Sequence, residues 1–229
     1  MAELWVTTLG EVPYLEALDL QRRLRDARQA DAIPDTLLLL EHPPVYTRGR
    51  RATEGDLPMG ADWYRERGIE IADSDRGGQV TYHGPGQLVG YPIMRVASVH
   101  EFVATMEGAI VSALAEEGVL AQVRDGLTGV WAGDAKIASI GIHVSRGVTT
   151  HGFAVNVDND LEPFEWIHPC GMDGARMTSV SREKEVDGSM ACFRKRMAFH
   201  FADASGLRQR VVSSRQAILA SAPLAAAPA

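Results

Sequence analysis

Two β-like runs, Ile137–Ser145 and Val148–Asn156, are separated only by Arg146-Gly147. No other feature constrains the fold as much, because so short a connection turns the second run back antiparallel on the first. The turn also sets the register. Ser139 stands opposite Ala154, and Gly141 opposite Gly152. Facing small residues leave a shallow gap, open to two readings. Either a flat or linear ligand approaches the backbone there, or the strands pack tightly with a bulge.

The remaining chain supplies more strands and three helices. Leu4–Thr8 alternates like a short strand. Residues 14–29 form an amphipathic helix opened by Pro13, with Leu15, Leu18 and Leu24 on its apolar face. Thr36–Leu40 is a buried strand, ending in EHPPVYTRGR, where two prolines forbid further regular pairing. Residues 51–68 are loop with one helical turn near Trp63. Gln79–Tyr82 and Gln87–Ile93 are strands around His83-Gly84-Pro85-Gly86. Helices follow at about 101–117, with Phe102, Met106, Ala109, Ile110 and Ala113 on one face, and at about 189–204, on either side of a β-rich block from Gln122 to Val157. Without strict βαβ alternation, this is a single α/β or α+β domain, a mixed sheet flanked by helices. It spans 1–215, with a flexible Ala/Pro-rich tail at 216–229.

With 229 residues, 45% of them hydrophobic, the chain suits one soluble domain. No apolar run is long enough to cross a bilayer, and no secretory signal stands at the N-terminus. The expected address is the cytoplasm. A formal charge of −7 argues against a nucleic-acid partner. Two basic clusters remain, Arg22, Arg23 and Arg25, read as solvated surface, and Arg48, Arg50 and Arg51, which adjoin a Pro/Gly-rich segment and suit recognition equally well.

The two cysteines differ in setting. Cys170, in HPCGM, lies between a proline and a glycine, whereas Cys192 lies on an apparent helix as a small buried hydrophobe. A lone cysteine more often has a structural role, and a nucleophile needs a partner that favours its thiolate. Lys136, in GDAKIASIG, enters a strand of apolar and small residues. Near a thiol it would stabilise the thiolate, and after acylation it could act as a base. Most such lysines simply face solvent, and spacing alone does not bring the two together. His168, His83 and His151 are further candidates, as pocket-lining or structural groups. The stretch Asp75–Gln87, DRGGQVTYHGPGQ, is a binding loop or a glycine-bearing hairpin. GxGxxG, Walker A, GxSxG, HExxH and CxxC are all missing, so common nucleotide and metal sites are not indicated.

RGGQVTYHGPGQLVGYP (76–92), KIASIGIHVSRGVTTHGFAVNV (136–157) and PCGM (169–172), in that order, resemble the signature segments of lipoyl(octanoyl) transferases, and EHPPVYTRGR (41–50) is similar to the family's upstream segment. The resemblance covers about residues 1–185. It implies a biotin/lipoate protein ligase-like single domain. It also implies transfer of octanoyl from octanoyl-acyl carrier protein to a lysine of a lipoyl domain, in 2-oxoacid dehydrogenase complexes and the glycine cleavage H protein. Cys170 matches the family's acyl-accepting cysteine, and Lys136 its lysine partner. The acyl-binding segments match Arg76, Gly77, Gly78, Gln79, Val80, Thr81, Tyr82 and His83, then Ser139, Ile140 and Gly141, then Gly152, Phe153 and Ala154. No cofactor, metal, nucleic acid or membrane is implied. The rivals are an ATP-dependent lipoate or biotin ligase, a non-catalytic lipoyl-domain-binding module and a thiol hydrolase.

Overall fold

The computed structural model describes residues 2–168, 176–184 and 189–212. Strand β1 (Glu3–Glu11) sends Leu4 and Val6 inward, and Pro13 then opens helix α1 (Tyr14–Gln29). The apolar face of α1 buries Ala17, Leu18, Leu20 and Leu24, but Leu15 is 55% exposed and belongs to the solvent side. Strand β2 (Asp35–Glu41) runs parallel to β1. Its unbroken LLLL is explained by cover on both faces. Leu38 and Leu40 pack with α1, whereas Leu37 and Leu39 point into the opposite core.

Val45–Arg48 forms a strand, β3, contrary to the expectation from Pro43 and Pro44. The prolines act before the strand, breaking only its continuity with β2, and the chain starts a second sheet. After a 3-10 turn at Glu54–Asp56 come α2 (Ala61–Glu66), β4 (Glu70–Asp73) and β5 (Val80–His83). In this sheet β3 lies between β4, parallel, and β5, antiparallel. Strand β6 (Gln87–Ile93) returns to the first sheet between β2 and a later strand. The glycine-bearing hairpin reading of residues 75–87 therefore fails, because β5 and β6 pair in different sheets.

Helix α3 (Val99–Glu116), capped by the Ser98 hydroxyl, is followed by β7 (Ala121–Arg124), β8 (Leu127–Ala132), β9 (Ala135–Ser145) and β10 (Val148–Asn156). Helices α4 (Val180–Lys184) and α5 (Met190–Ala204) lead to β11 (Arg208–Val211), which pairs parallel to β1. The large sheet runs β11-β1-β2-β6-β10-β9-β8-β7. Side chains of α3 and α5, among them Phe102, Met106, Ile110, Phe193, Met197 and Phe201, join Leu37, Leu39 and Val155 in the core on one face. Helix α1 covers the other face. Among the described residues no helix is long and apolar enough to cross a membrane.

The β9–β10 hairpin has the expected register, with Ser139 opposite Ala154 and Gly141 opposite Gly152. Arg146 and Gly147 have φ of 46° and 77°, the left-handed pair that a two-residue hairpin turn requires. On its other side β10 pairs with β6 only over Phe153–Asn156. Pro92 has no N–H to offer there. His151 takes φ 59°, and its N–H is accepted by Gln21 Oε1 of α1 at 2.7 Å.

Candidate active site

The gap between Gly141 and Gly152 is used first by the protein itself. A Cβ on Gly152 would stand 2.1 Å from the Gly90 carbonyl oxygen, and one on Gly141 would stand 2.9 Å from that of Gly77. Tight packing thus explains both glycines, and the Asp75–Gly78 loop lies against the hairpin as a result. The Gly77 N–H donates to Ile142 O at 3.0 Å. Arg76, buried, gives Nη2 to Thr47 O at 2.6 Å and Nη1 to Gly77 O at 3.0 Å. The Gly49, Arg50 and Arg51 amides donate to the carbonyls of Gln79, Arg76 and Gly78. A basic segment and a glycine loop are thereby joined as one unit.

These elements surround a cavity of about 350 Å³. Of the residues singled out by sequence, Arg76, Gly77, Gly78, Val80, Thr81 and His83 line one part. Lys136, Ser139, Ile140, Gly141, Gly152, Phe153 and Ala154 line another. Gln79 and Tyr82 do not line it. The Gln79 carbonyl holds Gly49, and the Tyr82 ring is buried among Tyr46 and Phe164. His168 is exposed and outside the lining. Arg51 reaches the cavity, Arg48 pairs with Asp73 at 2.8 Å, and Arg50 is exposed. In the first basic cluster, Arg23 and Arg25 pair with Asp19 and Asp26 on the surface.

Lys136 is only 6% exposed, unlike a lysine at a solvated strand end. Its Nζ lies 5.1 Å from the centre of the Trp131 ring, within cation–π range. Space for it depends on Gly129, where φ is 127° and a Cβ would stand 2.7 Å from Lys136 Cε. The Gly129 N–H is held by Glu107 Oε1 of α3 at 2.9 Å. The Lys136 backbone is held on both sides, its N–H by Arg176 O at 2.8 Å and its carbonyl by the Thr178 N–H at 2.9 Å. Cys170 itself lies outside the described residues. Cys192 is an exposed free thiol in the first turn of α5, not a buried hydrophobe, because it lies off the stripe of Phe193, Met197 and Phe201 that the helix buries.

Two buried histidines, His83 and His151, line the cavity, and a third, His42, lies beside His83. His42 donates Nδ1–H to Val12 O at 2.6 Å and accepts from the Tyr91 hydroxyl at Nε2, 2.7 Å away. Burial lowers its pKa to about 4. His83, stacked on Tyr14, is pushed well below its ordinary value, chiefly by burial and then by His42. His151 donates Nε2–H to Asp75 Oδ1 at 2.6 Å. Burial lowers its pKa despite that carboxylate, so the ring is neutral.

The lipoyl protein ligase A/B catalytic domain model matches residues 13–202. The chain belongs to that family. It is 48% identical over 178 residues to an octanoyltransferase of Rubrobacter xylanophilus, covering 76% of this chain and 80% of the relative. It is 41% identical over 219 residues to an octanoyltransferase of a Roseiflexus species, covering 93% and 91%. Among solved structures, a bi-partite lipoate protein ligase from Thermoplasma acidophilum superposes with a TM-score of 0.76, at 19% identity, over 97% of this chain and 91% of the other. That likeness establishes the shared fold.

As a lipoyl protein ligase A/B domain, this chain brings together a buried amine, aliphatic walls and unprotonated imidazoles. That combination suits acyl transfer, and the enzyme is an acyltransferase. Sequence reasoning missed Tyr14, Tyr91 and Glu107. For Glu107 a signal existed, because it lies beside Met106 in the buried stripe of α3, where a carboxylate needs a partner. Tyr14 and Tyr91 carry no comparable signal, since a tyrosine suits any half-polar core.

Proposed function

We propose that this chain moves an octanoyl group from octanoyl-acyl carrier protein, through a thioester on Cys170, to a lysine of a lipoyl domain. Octanoyl transfer in lipoate biosynthesis is the activity. The observation that carries the mechanism is the placement of Lys136. It is buried in the cavity wall and held at N–H and carbonyl by Arg176 and Thr178, six and eight residues after Cys170 in the sequence.

The Cys170 thiolate, paired with the Lys136 ammonium, attacks the thioester carbonyl carbon of the carrier. The bond to the carrier sulfur breaks, and the departing thiolate takes a proton from Lys136. Lys136, now neutral, accepts a proton from the neutral lysine amine as that amine attacks the acyl-Cys170 carbonyl. The carbon–sulfur bond then breaks and restores the Cys170 thiolate beside the Lys136 ammonium. With the Arg76 and Gly77 amides engaged by Ser74 Oγ and Ile142 O, the Gly78 amide is the candidate oxyanion donor of this loop. Exchange between thioesters is nearly balanced and amide formation runs downhill, so ATP is not consumed.

The acceptors are lipoyl domains of 2-oxoacid dehydrogenase complexes and the glycine cleavage H protein, and the cytoplasm is the expected address. Arg50 and Arg51, exposed and bonded through their backbone to the glycine loop, form the docking point for acidic partners, with Arg48 beside them. Charge reversal there weakens carrier binding in a salt-dependent way, and an unchanged affinity removes the docking assignment. The mechanism is tested by intact-protein mass spectrometry with octanoyl-acyl carrier protein, wild type beside Cys170→Ser. One octanoyl adduct on wild type alone, cleared by a lipoyl domain, is expected. Absence of any adduct, with activity only when ATP is added, would replace the transferase mechanism by a ligase one.

A further inference from the structure

A line of buried hydrogen bonds joins the two parts of the cavity, and the transfer steps above make no use of it. Asn156, 1% exposed, donates Nδ2–H to Thr178 O at 3.0 Å. A carbonyl can only accept, so this contact fixes the orientation of the Asn156 amide and leaves Oδ1 as an acceptor. Gln87 Nε2 lies 2.9 Å from that oxygen and 3.2 Å from Tyr82 O, a second carbonyl. Both amide hydrogens of Gln87 are thereby committed, and its Oε1 faces His83 Nδ1 at 2.7 Å. Nδ1 must therefore carry the ring proton.

A neutral imidazole has one N–H, so Nε2 of His83 is a bare lone pair. No contact takes up that nitrogen among the described residues, and His83 lines the cavity. The adjoining His42 ring, 5.6 Å away, differs in this respect, since Val12 and Tyr91 occupy both of its nitrogens. The titratable groups around His83 are Tyr14 of α1, His42 after β2, Arg76 of the glycine loop and His151 of β10.

We propose that Gln87 and Asn156 are positioning residues that hold His83 in the tautomer whose Nε2 accepts an N–H from the incoming lysine amine. The inference rests on the transfer reading above. An octanoyl chain and its thioester offer no polar hydrogen, so a bare acceptor in the cavity does nothing for them. The acceptor lysine brings N–H groups to the reacting carbonyl. A lone pair that takes one of them turns the amine's own lone pair toward the acyl carbon, a gain from orientation. Lys136 remains the group that receives the proton.

Two measurements decide the point. Long-range proton–nitrogen NMR on histidine-labelled, full-length enzyme near pH 7 is expected to show His83 protonated at Nδ1 and bare at Nε2. The Nε2–H form would overturn the proposal. Single-turnover mass spectrometry separates acylation by octanoyl-acyl carrier protein from transfer of the preformed adduct to a lipoyl domain. For His83→Phe, transfer is expected to slow about 30-fold more than acylation. Equal slowing of both steps, or slowing of acylation alone, would overturn the assignment to the amine.

Gln87→Glu supplies a readout that a purely structural role would not move. A carboxylate at Nδ1 raises the imidazole pKa, so the acid limb of the transfer rate shifts to higher pH, whereas an unmoved limb counts against the clamp. If the wild-type enzyme forms no acyl adduct at all, the transfer reading fails by itself. The tautomer seen by NMR then still decides whether Gln87 and Asn156 set it.

Discussion

The large and small sheets hold the same cavity by different physical means. Strands β6 and β10 of the large sheet are buried along their whole length, flanked by α1 on one face and by α3 and α5 on the other. Lys136 extends from this frame on β9. The small sheet has three four-residue strands and a cluster of aromatic rings instead of a deep aliphatic core. Two tyrosines of this cluster act through their hydroxyls, Tyr46 of β3 donating to Pro163 O at 2.7 Å and Tyr64 of α2 to Trp166 O at 2.7 Å. The small sheet and α2 thus tie down loops, the glycine loop through Thr47 and Arg76 and the 161–168 segment through Tyr46 and Tyr64. Lys136 is thus mounted on the frame, whereas the loops around the cavity hang on short strands.

The sharpest test of the frame is Lys136→Met, which keeps the length of the side chain beside Trp131 and removes the amine. Octanoyl transfer is expected to fall about 10³-fold, the scale of a lost acid–base group, with the thermal midpoint within a few degrees of wild type. Retention of a tenth or more of the activity would mean that Lys136 is packing alone. Gly152→Ala probes the frame without removing chemistry. Its methyl group would meet the Gly90 carbonyl at 2.1 Å and Pro92 Cδ at 2.5 Å, both rigid. A loss of about 3 kcal/mol, or roughly 10 °C in the midpoint, is expected. A variant as stable as wild type would show that β6 and β10 can separate.

The same contrast explains what the sequence could reveal. The hairpin was legible to the residue, since two long runs and Arg146-Gly147 leave one register. Helices α1 and α3 were legible from their apolar spacing, apart from the exposed Leu15, and α5 as a helical stretch. The small sheet was not. Strand β3 has only four residues after two prolines, too few for a periodicity of two to show. The apposition of β3 and β5, and of Arg76 with Thr47, is tertiary. In the site, Lys136 and His83 were visible in their motifs, but the supports were not. Asn156 and Glu107 act through partners 22 to 69 residues away, and although Gln87 reaches His83 only four residues back, its anchor on Asn156 is 69 residues distant, so no local pattern records these supports.

Acid acts on the buried histidines where the two sheets meet the cavity. His42, beneath α1, is neutral in the folded chain, with its pKa lowered by burial from 6.5 to about 4. An unfolded chain takes up a proton there first, so between these values the unfolded state binds more protons and stability falls as pH falls. The loss approaches roughly 3 kcal/mol at about pH 4 and is absent above pH 6.5. His83 and His151 act in the same direction. Denaturant unfolding followed from pH 7 to pH 4 should show this slope, and His42→Gln should flatten it. An unchanged slope in that variant would place the acid sensitivity elsewhere.

The smallest expected effect belongs to the small sheet. Tyr46→Phe removes one hydroxyl and leaves Pro163 O, in a buried turn, without its donor. The cost is about 1 kcal/mol, since one neutral hydrogen bond is exchanged for solvent contacts in the unfolded chain. In a chain of this length that is only a few degrees of melting temperature. If the small sheet tethers loops, as its tyrosine hydroxyls indicate, the variant should lose activity out of proportion to stability. Cys170, the proposed nucleophile, follows the 161–168 segment by two residues in the sequence, and a nucleophile misplaced by about an ångström loses rate steeply. Acylation by octanoyl-acyl carrier protein should slow several-fold at a temperature where the variant is fully folded. Equal, small losses in both measurements would instead make Tyr46 ordinary packing, and the distinction between a rigid frame and a loop-tethering sheet would lose its main support.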